Sequence, residues 1–77
     1  MQNKIEPRKA IARRLKQARE QAGYLSAEEF CEKNKLPLNV YQACENASKA
    51  IKISQMENYC KLFNVSLRWL IIGEGES

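Results

Sequence analysis

The sequence predicts an all-α domain, a compact bundle of five helices, on three observations. Apolar residues recur at helical spacing in separate runs, the first being Ile11, Leu15, Ala18 and Ala22. Capping signals open and close those runs, with Ser26, Glu29 and Ser66 at starts and Gly23 and Gly73 at ends. No segment alternates apolar and polar residues as a strand would. The 77 residues, 44% of them hydrophobic, suffice for one domain near the lower size limit of a single core.

Each helix has a local cause. Pro7 suits a first turn, where its missing N–H costs nothing, and Gly23 closes the first helix. Ser26 and Glu29 form a capping box that opens a second helix, which runs through Phe30 and Cys31 to about Asn34. Leu36-Pro37 breaks it, because a residue before proline is pushed out of the helical region. A third short helix runs from about Leu38 to Glu45, with Tyr41 and Cys44 facing inward. After the loop NASKAIK, Ser54 and Glu57 read as a second capping box, although that helix could begin a turn earlier. Ile53, Met56, Tyr59, Cys60 and Phe63 are its buried stripe. Ser66 opens the last helix, LRWLII, and Gly73 ends it. The chain divides into a basic arm with the start of the first helix (1–9), the helical domain (10–73) and an exposed tail (74–77).

Charge is uneven along the chain. Residues 1–19 hold seven basic side chains and one acid, a net of +6, whereas residues 20–77 carry a net of −2. A basic arm on a nearly neutral body suits an anionic partner, although a solvated basic helix has the same composition. There is no histidine and no CxxC, which argues against a structural zinc. Cys31, Cys44 and Cys60 fall on apolar helix faces and read as buried reduced thiols. The charge from Lys4 to Arg19 leaves no apolar stretch for a signal peptide, and no apolar run approaches about 18 residues. No Ser or Cys has a placed base, so no catalytic residue is assigned and the chain does not read as an enzyme. Nothing in it points to a cofactor, a bound metal, a small-molecule ligand or a membrane.

The informative junction lies between Ser26 and Glu45, where two short helices meet across three or four residues. That is the spacing of a helix-turn-helix, which places its second helix in the DNA major groove. The segments RLKQAREQAG, SAEEFCEKNKLP, VYQACEN and YCKLFNVSLRWLIIGEG together resemble the lambda-repressor-like, Cro/XRE-type helix-turn-helix family of phage and bacterial repressors. The resemblance covers about residues 10–75. It implies a compact five-helix lambda-repressor-like bundle and a cytoplasmic, bacterial or phage-encoded repressor that binds double-stranded DNA as a homodimer. In that family the WLIIGEG-like ending often leads into a linker and a second domain.

The resemblance also assigns residues. An ion pair would join Arg19 to Glu45, an arginine fork holding a carboxylate by two parallel hydrogen bonds. Leu38, Asn39, Gln42 and Ala43 would read bases. Asn and Gln can pair with an adenine edge, and Leu and Ala can pack on a thymine methyl. Lys35, Asn46, Ser48, Lys49, Lys52 and Arg13 would meet phosphates. Lys4, Arg8 and Lys9 of the arm would reach flanking backbone or minor groove. The family's dimers need a contact surface, and the last helix has more apolar residues than one face can bury. With Trp69 and Leu70 in the core, Ile71 or Ile72 is left for a second copy.

Four positions depart from the family pattern. Lys35 stands where the turn usually has glycine, so it must accept a left-handed backbone or change the turn, at about 1 kcal/mol. Pro37 replaces a capping Ser or Thr, Ala27 replaces a phosphate-contacting Gln, and Ala47 replaces a Gly. The third helix carries no lysine or arginine, and Glu28, Glu29 and Glu32 make the second helix acidic. Two other readings therefore stay open: a protein-interaction module of the same fold, and an antitoxin that both represses and holds a toxin.

Overall fold

A computed structural model describes residues 7–73; Lys4 of the arm and the tail 74–77 lie outside the described residues. Five helices follow one another: α1 (Pro7–Gln21), α2 (Ala27–Asn34), α3 (Leu38–Glu45), α4 (Ile53–Phe63) and α5 (Leu67–Ile72). Among the described residues there is no strand. α1 packs on α3, α4 and α5, α2 packs on α3, and α4 packs on α5, which makes an all-α bundle.

Two starts are closed by serine. Ser26 Oγ accepts from the Glu29 N–H at 3.0 Å, and Ser66 Oγ accepts from the Trp69 N–H at 3.0 Å. The box at Ser26 closes one residue early, since Glu29 Oε1 accepts from the Leu25 N–H at 2.8 Å. α4 begins at Ile53, so Ser54 lies inside it rather than capping it. Lys52 holds the cap position, and its N–H donates to Gln55 Oε1 at 3.3 Å. A lysine ammonium cannot accept a hydrogen bond, so only this half of a capping box forms.

The ends share one device. At Gly23, Lys35, Ala47 and Asn64 the backbone turns left-handed, with φ of +99°, +56°, +59° and +61°. The two N–H groups at each turn reach back to the last carbonyls of the helix. At α2, for instance, Lys35 N–H donates to Glu32 O at 3.4 Å and Leu36 N–H donates to Cys31 O at 2.8 Å. α2 therefore ends at its own left-handed Lys35, before Pro37 can act. Lys35 takes the left-handed backbone its position required.

Phe30 of α2 is fully buried at the centre. Its ring lies 4.4 Å from that of Phe63, 4.9 Å from Tyr41, 5.1 Å from Tyr24 and 6.1 Å from Tyr59. Each such pair adds about 0.5–1.5 kcal/mol beyond the area it buries. Ile11, Leu15 and Ala18 of α1 close one side of this cluster, and Leu70 of α5 closes another. α5 is held to α1 by Arg14, whose Nη1 donates to Leu70 O at 3.2 Å. The guanidinium lies over Gly73, where a Cβ would come within 3.0 Å of Nη2. Gly73 also has φ of +85°, a backbone that favours glycine, and a Cβ there would push the Arg14 guanidinium aside.

Candidate nucleic-acid interface

α3 has an inner face that is locked. Tyr41 and Cys44 are buried, and the Glu45 side chain is only 9% exposed. Arg19 of α1, 5% exposed, reaches that carboxylate. Its Nη1 donates to Oε1 and Oε2, each at 3.1 Å. This corrects the fork expected for the pair: one nitrogen serves both oxygens, while Nη2 lies 3.6 Å from Glu20 Oε2. Arg19 Nε is buried with no hydrogen-bond partner among the described residues. The Tyr41 hydroxyl donates to Glu45 Oε2. Burial pushes the Tyr41 phenol far above its ordinary value, and the Glu45 hydrogen bond and charge add to this. Tyr59 is pushed up to about 12, again chiefly by burial. Burial also raises the three thiols, all free and buried as expected. The inner face is thus neutral except for one ion pair, and it fixes how α3 sits on α1.

The outer face of α3 is polar. Asn39, Gln42 and Asn46 are exposed, and Ala43 is half-buried beside them. Helical spacing puts Asn39 over Ala43 and Gln42 over Asn46 on one ridge. Leu38 does not join it. Grouped with these residues on sequence, it instead packs half-buried against the core, because an apolar side chain at the α2–α3 corner gains more by leaving water. Val40, not singled out from sequence, is exposed and walls a cleft on the other side of α3.

That cleft, of about 220 Å³, runs between α3 and the segment entering α4. Asn39, Val40, Ala43 and Cys44 form one wall, and Lys49, Ala50, Lys52 and Gln55 form the other. Lys49 and Lys52 are exposed, and neither joins an ion pair among the described residues. Gln55 was missed on sequence. Its carbonyl oxygen is taken by Lys52 N–H, which leaves its amide NH₂ able to donate. A Gln three residues past the true cap was its signal, masked by the misplaced start of α4. Ser48 Oγ donates to Ala43 O at 3.3 Å, so this hydroxyl helps close α3. Lys35 is exposed in the α2–α3 turn.

On α1, Arg8, Lys9, Arg13 and Lys16 are exposed. Arg8 borders a separate apolar groove with Ile11, Ala50, Ile51 and Met56. Arg14, unassigned on sequence, holds α5. The start of α2 is negative: Glu28 is exposed, and the Glu29 carboxyl is held below its ordinary value by the Leu25 N–H and then by Lys33. In α5, Leu70 is fully buried, Trp69 and Ile71 are half-buried against the core, and Ile72 is exposed. Among the described residues no group of three His, Cys, Asp or Glu could hold a metal, and no helix is long and apolar enough to cross a membrane.

Compared with models of known protein families, with curated proteins and with solved structures, the chain matches none of them. The case for function therefore rests on the residues and their geometry.

Proposed function

We propose that this chain is a sequence-specific DNA-binding transcriptional regulator of the repressor type. α2, the turn 35–37 and α3 act as a helix-turn-helix, with α3 in the major groove of a two-fold operator bound by a homodimer. The carrying observation is the pair of exposed amides Asn39 and Gln42 on α3, flanked by the exposed phosphate candidates Asn46, Lys49 and Lys52. Amide side chains suit base edges, and free cations beside them suit phosphates. A reading helix must also be rigid on its support, and the Arg19–Glu45–Tyr41 contacts supply that rigidity. Exposed Ile72 at the end of α5 is the surface offered to a second copy.

A second reading is a protein-interaction module of the same architecture. Exposed Glu28 and Glu32 on α2, and the absence of any cation on α3, favour it. Selection of duplexes from a random pool, followed by fluorescence anisotropy at several salt concentrations, separates the two. A regulator enriches a two-fold site and loses affinity steeply with salt. An interaction module enriches nothing and binds weakly even at low salt.

A further inference from the structure

We propose that Lys9, Arg13 and Lys16 form a phosphate-binding track along the outer face of α1, and that α1 runs beside one strand of the duplex while Lys49 and Lys52 hold the other. The proposal rests on the reading of α3 as the DNA-reading helix. It adds Lys16 as a contact and moves Lys9 from an arm to a helical track.

Two side chains fix the orientation of α1. Arg19 marks the edge that meets α3, and Arg14 marks the edge that meets α5. At about 100° per residue, Lys16, Lys9 and Arg13 lie about 60°, 80° and 120° beyond Arg19, away from the core. All three are exposed, and none joins an ion pair among the described residues. From Lys9 to Lys16 the track is about 10 Å long. One turn beyond Lys16, Glu20 lies on the same line and ends it with a negative charge.

The position of this line relative to α3 selects the partner. Glu45 turns one side of α3 toward α1, and Val40 and Ala43 turn the other toward the cleft with Lys49 and Lys52. The exposed arc between those sides holds Gln42 and Asn46, and Asn39 stands where that arc meets the cleft. Two lines of cations thus flank one amide ridge. A major groove about 12 Å wide has the same arrangement, base edges between two phosphate strands. An acidic protein surface does not require two lines with a reading ridge between them.

The test uses the full chain and the duplex it selects, with helicity and melting checked for each variant. Replacing Lys9, Arg13 and Lys16 together by Gln is expected to weaken binding without changing base preference. The slope of log affinity against log salt should become shallower by about 2–3, near 0.9 for each phosphate no longer neutralised. Glu20→Gln is expected to tighten binding several-fold at low salt, a gain that misfolding cannot mimic. Lys61→Gln, on the exposed side of α4, should change neither quantity. If wild type binds its duplex but the triple variant keeps its slope and Glu20→Gln gains nothing, α1 does not touch the backbone and the track is overturned alone. If wild type selects no duplex, the track falls together with the DNA reading. If the triple variant instead loses an acidic protein partner and no DNA affinity, the track serves a protein.

Discussion

A single nitrogen of Arg19, Nη1, holds both carboxylate oxygens of Glu45 at 3.1 Å across 26 residues of sequence. The pair fastens α3 to α1 in a site where each side chain is more than nine-tenths buried. Charges so removed from water cost a great deal if stranded. Glu45→Gln or Arg19→Ala is therefore expected to lose about 3–5 kcal/mol in urea denaturation. That is a large share of the stability of a domain this small. The double replacement should lose clearly less than the sum, because it strands no charge. Single losses below about 1 kcal/mol would show that water reaches the pair.

Ala47 turns left-handed at φ +59°, where its Cβ crowds the backbone. Ala47→Gly is expected to stabilise the fold by about 0.5–1 kcal/mol, and Lys35→Gly by a similar amount. Asn64→Gly should gain less, since Asn tolerates this conformation. The reverse exchanges differ in kind. Gly23→Ala meets open space and costs only backbone strain, whereas Gly73→Ala also displaces Arg14. Melting temperatures that fall in the order wild type, Gly23→Ala, Gly73→Ala would confirm this. An unchanged or lower melting temperature for Ala47→Gly would contradict the strain at that turn.

Stability should fall in alkali. Unfolded, the thiols lose their protons near 9.0 and the phenols near 10.0; folded, burial holds those protons to higher pH. The unfolded chain therefore releases protons first as pH rises. The contribution is fully present below the unfolded values and is lost as pH climbs toward the folded ones. Denaturation midpoints should decline steadily from about pH 8 to 11. Cys44→Ala should flatten that decline, and a midpoint indifferent to pH would mean that the thiols are hydrated.

On selected DNA, Asn39→Ala and Gln42→Ala should each cost about 1–3 kcal/mol and relax preference at one base pair. Lys49→Gln and Lys52→Gln should instead weaken binding to all sequences alike, lowering the salt slope by about 1 each. Competition assays with single-base operator variants separate these patterns. If Asn39→Ala behaves like a lysine variant, the ridge grips backbone and reads no base.

Much of this architecture was legible in the chain because its causes are local. The apolar spacing of Ile11, Leu15 and Ala18 marks a buried helix face, and Ser26 and Ser66 mark starts three residues before the N–H they accept. Asn39 and Gln42 are singled out by the family resemblance rather than by periodicity, and both lie on the exposed face of α3. The start of α4 was less legible, since Lys52 is not a capping residue and Ser54 offers a better one nearby.

The five helices, most of their inner faces and the uneven charge depend on neighbours within one or two turns and so are written in the chain. Ile53, however, expected in the buried stripe of α4, is exposed at its first turn, as is Ala22 just past the end of α1. Packing of the helices on one another set which neighbouring apolar group turns inward and what the long charged side chains hold. Leu38 went to the core and Val40 to the surface because α2 lies against one side of α3 and a cleft opens on the other. Arg14 and Arg19, five residues apart on α1, hold opposite edges of the bundle through partners 56 and 26 residues away. Such contacts form only after the helices pack, so no local pattern records them.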